Sequence, residues 1–226
     1  ADRLGSGIMR IRRIGKRIAA LLVCLLLELW GPCFLLSSYA ELSWPSADLT
    51  AVSAALMDAD TGAMLFEKNG EQRMYPASIT KVMTALVVLK HANLEDQVSF
   101  SHDAVYNVDY GSSNAQIDEG DVLTVSDCLH ALLLKSANEA ANALAEHVAG
   151  SREKFAEMMN EEAAALGCSG THFSNPSGLF SEDHYTTAHD MALIGQAAFR
   201  DKRFLDIEKE KSYTLKGCRR NPEGIT

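Results

Sequence analysis

Tyr75-Pro-Ala-Ser-Ile-Thr-Lys-Val-Met-Thr-Ala-Leu-Val87 is the stretch on which the architecture turns. From Ser78 onward Val82, Ala85, Leu86 and Leu89 recur at helical spacing, which predicts a buried amphipathic helix over 78–90. Pro76 stands where it can help start that helix without interrupting it. Upstream, 51–57 and 63–68 read as two strands joined by the turn Asp58-Ala-Asp-Thr-Gly62, a β-hairpin. Downstream, 96–124 is polar and Gly/Ser-bearing and reads as short strands and loops. Thr124-Val-Ser126 then caps a helix through Leu134, and further helices are predicted at about 138–148, 151–166 and 187–199. Gly150, Gly167 and Gly170 punctuate them as stops, and 211–216 reads as a returning strand. The order predicts an α+β fold: an antiparallel sheet with flanking helices and a helical subdomain. So few strands make a thin layer for several helices, so the sheet is expected to be incomplete at residue 226.

Ser78 and Lys81 stand three apart, on one face of the predicted helix and at its N-terminus. Unpaired N–H groups and partial positive charge there disfavour a protonated lysine and favour an anionic intermediate. A lysine pushed towards its neutral form could take the serine proton. The spacing alone also fits a helix-capping serine beside a solvated lysine, and chance supplies it about once per few hundred residues. A second pair, Ser136-Ala-Asn138, lies in a connection between helices, where both side chains can face one cleft. His184 and His189 stand five apart near carboxylates but lack the HExxH pattern of a zinc helix, so no metal is assigned.

With its flanks, the Ser78 segment resembles the nucleophile helix of the serine-type D-alanyl-D-alanine carboxypeptidases, low-molecular-mass penicillin-binding proteins of peptidase family S11. Leu132-Leu-Leu-Lys-Ser-Ala-Asn138 is similar to that family's SxN motif, and Thr171-His-Phe-Ser-Asn-Pro-Ser-Gly-Leu179 and His184-Tyr-Thr-Thr-Ala-His-Asp190 to further landmarks. The resemblance covers about residues 50–215. It implies a β-lactamase/transpeptidase-like fold with Ser78 as nucleophile, Lys81 as general base, Ser136 as proton relay and Asn138 as substrate-binding residue. The implied substrate is a peptidoglycan stem peptide ending in D-Ala-D-Ala, with β-lactams as covalent inhibitors and no cofactor. The family's third motif, a Lys-Thr-Gly strand that positions the substrate carboxylate beside the oxyanion hole, does not occur after Ser136. Truncation, a frameshift or a real variant each accounts for this, and the 226-residue chain is expected to be impaired. Two alternatives stand beside this reading. A class A-type β-lactamase would need a glutamate loop of the ExxLN kind, which the sequence lacks; a non-catalytic envelope protein would keep the fold without the chemistry.

Charge and composition bound the remainder. The chain carries 21 Lys+Arg against 30 Asp+Glu, and six of the basic residues lie in the first forty. The rest, with 15 basic against 28 acidic side chains, would repel phosphates, which argues against nucleic-acid binding. Arg10, Arg12, Arg13, Lys16 and Arg17 precede an apolar run from Ile18 and a small-residue site at Ser38-Tyr-Ala40. This reads as an export signal over 1–40 before a carboxypeptidase domain over 41–226, which places the body in the extracytoplasmic envelope. Left uncleaved, the signal would tie that body to the membrane. Beyond it, Cys128, Cys168 and Cys218 are isolated and odd in number, which gives neither a disulfide framework nor a zinc site; buried thiols are expected.

Overall fold

The computed structural model describes residues 49–224 and 226, and the export signal expected over 1–40 lies outside them. Strands β1 (Ala54–Met57) and β2 (Met64–Lys68) pair antiparallel, with Ala54 opposite Lys68 and Leu56 opposite Phe66. Their turn is held by Asp58, whose Oδ1 accepts from the Thr61 amide at 2.7 Å and the Thr61 hydroxyl at 2.6 Å. After a 3₁₀ turn at Ala77–Ile79 comes helix α1 (Thr80–His91). It is buried around most of its circumference, from Thr80, Lys81 and Met83 through Leu89, so it is a central helix rather than the one-sided one its spacing predicts.

Among the described residues, five helices pack against α1. Helix α3 (Val125–Leu134) starts with a full capping box between Thr124 and Asp127, and Gly150 at φ +80° ends α4 (Asn138–Ala149). Helix α5 (Arg152–Ala165) is capped by Ser151, and α6 (Ala188–Phe199) by Thr187, whose hydroxyl accepts from the Asp190 amide at 3.0 Å. The fifth, α7 (Lys202–Glu208), has Asp201 as its cap. A second antiparallel pair, β3 (Gln97–Ser99) with β4 (Val122–Thr124), flanks a one-turn helix α2 (His102–Tyr106). The core collects Phe100, Phe155, Phe173, Phe204, Met83, Leu129, Leu144 and Ile194 around α1. Each such side chain contributes about 1.5–3 kcal/mol of transfer free energy.

The α+β class holds, with two separate two-stranded ladders among the described residues. Three expectations change. Helix α2 falls where short strands and loops were read, α7 occupies a stretch given no element, and 211–216 is not a strand. That segment runs beside α3 instead: the Tyr213 ring stacks on His130 at 3.7 Å, and its hydroxyl donates to Asp127 Oδ1 at 2.7 Å. Gly170 is not a helix stop; its amide donates to Asp190 Oδ2 at 2.8 Å.

Candidate active site

The 3₁₀ turn sets Ser78 just before α1 and brings Lys81 one turn along, which puts Lys81 Nζ 3.3 Å from Ser78 Oγ. Lys81 is 3% exposed. Its Nζ donates to Asn138 Oδ1 at 2.8 Å and to the carbonyl of Ser177 at 2.6 Å. Burial brings its ammonium down to about 8, with the Glu139 carboxylate pulling the other way. In the neutral form of the amine these two acceptors take both of its N–H groups. The remaining lone pair is then free to receive the Ser78 proton.

The cleft in front of Ser78 holds about 380 Å³ and is lined by Tyr75, Ser113, Asn138, Gly178 and Phe180 among others. A larger apolar cavity of about 570 Å³ lies between β1, Pro76 and α6, but it contains neither Ser78 nor Lys81. Asn138 opens α4, and its amide donates to the carbonyl of Ser113 at 3.0 Å, tying the helix start to the cleft wall. Ser136 sits two residues earlier in left-handed backbone, φ +59°, with its hydroxyl buried and without a hydrogen-bond partner. The structure thus joins Ser78, Lys81 and Asn138 in one hydrogen-bonded group and leaves Ser136 outside it.

Sequence reasoning missed the segment that closes the other side. Asn175-Pro-Ser-Gly178 forms a tight turn, with Asn175 Oδ1 accepting from the Gly178 amide at 2.8 Å. What the pattern did not reveal is that three successive contacts from α1 hold this turn. Lys81 takes Ser177, Thr84 Oγ1 donates to the Pro176 carbonyl at 2.6 Å, and Thr80 Oγ1 lies 2.8 Å from His184 Nε2. His184 Nδ1 accepts from the Ser174 amide at 3.1 Å, so its proton sits on Nε2 and is donated to Thr80. Burial, with a smaller push from His172, brings that imidazole down to about 4 and keeps it neutral. His189 has separate partners, Glu67 at 2.8 Å and Glu71 at 3.4 Å, so the two histidines do not converge. Helical spacing of Thr80, Lys81 and Thr84 was the available signal, but nothing in sequence says which distant loop they hold.

A serine at a helix start, an adjacent buried lysine of lowered basicity and an asparagine across a cleft are the parts that a serine acyl-transfer site requires. The D-alanyl-D-alanine carboxypeptidase family, peptidase S11, matches residues 40–223, and the chain belongs to it. It is 38% identical over 151 residues to the D-alanyl-D-alanine carboxypeptidase DacF of Bacillus subtilis, covering 65% of this chain and 38% of that one. With DacA of Escherichia coli it shares 38% over 187 residues, 78% of this chain and 46% of the relative. The chain therefore spans less than half the length of these curated relatives. The crystal structure of penicillin binding protein 6B from Escherichia coli superimposes with a TM-score of 0.73 at 34% identity, over 78% of this chain and 59% of the other.

Proposed function

We propose that this chain performs the serine acyl transfer of its family on peptidoglycan stem peptides ending in D-Ala-D-Ala. Ser78 Oγ attacks the carbonyl of the penultimate D-Ala while its proton passes to the neutral Lys81 amine. The C–N bond to the terminal D-Ala breaks, the leaving amine takes that proton, and an ester on Ser78 remains. Water then hydrolyses the ester and restores the serine. Asn138 uses Oδ1 to hold Lys81, which leaves its Nδ2 to donate to a substrate carbonyl. Ser136, whose buried hydroxyl has no partner, serves as the relay between Lys81 and the leaving group. A β-lactam enters the same path, its ring amide replacing the peptide bond. On the reading of residues 1–40 as an export signal, the reaction takes place in the extracytoplasmic envelope, at the membrane if that signal stays in place.

The observation that carries this reading is the contact of Ser78 Oγ with a buried Lys81 whose other N–H groups are already committed. No Lys-Thr-Gly or Lys-Ser-Gly follows Ser136 within these 226 residues. The ester on Ser78 is the species that the peptide and the β-lactam paths share. The test is accordingly an endpoint: incubation with benzylpenicillin and peptide-resolved mass spectrometry. A penicilloyl mass on the Ser78 peptide is expected, absent in Ser78→Ala and at least about 10²-fold slower in Lys81→Ala. Adduct formation undiminished in Ser78→Ala would remove the assignment, and rapid release of hydrolysed penicillin would favour a β-lactamase instead.

A further inference from the structure

Glu139 follows the cleft asparagine and is 2% exposed, yet the mechanism above gives it nothing to do. A carboxylate that deep costs several kcal/mol unless its surroundings compensate it. Part of the compensation is visible. Its Oε1 accepts from the Ala115 amide at 2.6 Å and lies 3.5 Å from the Ile117 amide. Its place in the first turn of α4 also favours negative charge. Ala115 and Ile117 are buried, and Gln116 between them is left-handed at φ +60°, a geometry that the two anchored amides help to hold. The neighbouring Asn138 amide takes the Ser113 carbonyl, so two adjacent residues of α4 fasten one wall of the cleft.

The second oxygen, Oε2, is buried and has no hydrogen-bond partner. Ser112 Oγ and Ser136 Oγ are the other buried side-chain oxygens left unpaired among the described residues, and both belong to segments framing the same cleft. Among the described residues, the Glu139 carboxylate acts on Lys81 from α1, Cys128 from α3 and Cys218 from the segment after α7. Burial pushes both thiols up, so they stay neutral at neutral pH and Lys81 is the only cation among them. Burial raises the Glu139 carboxyl as well, opposed by its amide bonds and by Lys81.

We propose that Glu139 is a positioning residue of this site: one oxygen pins the cleft wall at 113–117 to α4, and its negative charge acts on the Lys81 amine within the same buried layer. The inference rests on the reading of Lys81 as the base. It assigns Glu139 a role in how readily that base gives up its proton, without contact with substrate.

Two variants separate the parts. Glu139→Gln keeps a carbonyl acceptor for Ala115 and removes the charge, whereas Glu139→Ala removes both. In the full chain with ¹³C-labelled lysine, the Lys81 titration of Glu139→Gln is expected to move to lower pH, raising the neutral fraction at pH 7 by about threefold, as half a unit requires. Hydrogen exchange at Ala115 should stay protected in Glu139→Gln and lose about tenfold protection in Glu139→Ala. A Lys81 midpoint unmoved in a folded Glu139→Gln protein overturns the electrostatic part, since a merely structural glutamate would give that result. Unchanged Ala115 protection in Glu139→Ala overturns the anchoring part. Should Glu139→Ala fail to fold, Glu139→Gln with an unprotected Ala115 amide serves instead to overturn it, because the acceptor is then shown not to matter. Penicilloyl adduct formation on the wild-type chain reports separately on Ser78 and Lys81, so failure of that reading and failure of the Glu139 inference are distinguishable.

Discussion

Gly178 and Gly150 both have left-handed backbone, φ +83° and +80°, but their surroundings differ. A Cβ at Gly178 would lie 2.0 Å from the Ala77 carbonyl oxygen and 2.9 Å from Thr80 Oγ1, whereas one at Gly150 meets nothing within 4 Å. Gly150→Ala therefore carries only the backbone penalty, about 1–2 kcal/mol. Gly178→Ala adds overpacking against the turn that holds Ser78, itself strained by Ala77 at φ +49°, for about 1–3 kcal/mol more. Urea unfolding of both variants measures the difference, and equal losses would show that the turn yields freely. At this scale the sequence was legible where chemistry repeats at short spacing. Ser78 and Lys81 share one helix face, and Asn138 lies in a motif with recognisable flanks. Ser177 was not legible, because it meets Lys81 through its main-chain carbonyl across 96 residues, a contact that no side-chain identity announces. Glu139 was missed for a related reason: nothing local marks a carboxylate as buried.

Helices with both a cap and a long apolar period were readable to within a residue or two, as the capping box at Thr124 and the stop at Gly150 illustrate. Helices α2 and α7, of five and seven residues, are too short to show a period, although Ser101 and Asp201 stand ahead of them as caps. The alternation at 211–216 suggested a strand, but Tyr213 goes to α3, where stacking on His130 and the bond to Asp127 take the place of a ladder. The clamp between α1 and the turn at 174–178 belongs to this scale and is acid-sensitive. Above pH 6.5 His184 is neutral in both folded and unfolded chains and adds no pH dependence. Below it the unfolded chain takes up a proton that the buried imidazole, at about 4, refuses. The His184 contribution to stability should therefore fall between pH 6.5 and 4 by as much as about 3 kcal/mol and change no further below. His184→Gln, which cannot titrate, should flatten that part of the profile relative to wild type in urea denaturation, and an unchanged slope would place the acid sensitivity elsewhere.

The three thiols among the described residues sample the body from different depths and connect the core to the segment after α7. Cys128 in α3 and Cys218 near the described end are 0% and 1% exposed, and Cys168, at 9%, lies 3.6 Å from the Asp190 carbonyl. Burial raises all three, Cys168 to about 12, so little thiolate is present at neutral pH and access is the only route to reaction. The sequence allowed this reading from their isolation and odd number, but gave no order of protection. That order follows from what holds each one. Cys128 lies within α3, which packs on α1, and Cys168 is held against the Asp190 carbonyl of α6, whereas Cys218 depends on a segment fastened largely by side-chain bonds. These are Tyr213 to Asp127 at 2.7 Å, the Arg219 amide to Asp121 Oδ1 at 3.0 Å, and Arg220 to Asp118 at 2.8 Å. The last is an exposed ion pair, which water and salt screen. Segments held this way open at lower free energy than the core they rest on. With iodoacetamide in rising urea, read peptide by peptide so that Cys24 and Cys33 do not interfere, Cys218 should be alkylated first, and Cys128 and Cys168 together at the main transition. If all three reacted in step, residues 211–224 would belong to the same cooperative unit as α1, and the packing of Tyr213 on α3 would open only with the helices around Lys81.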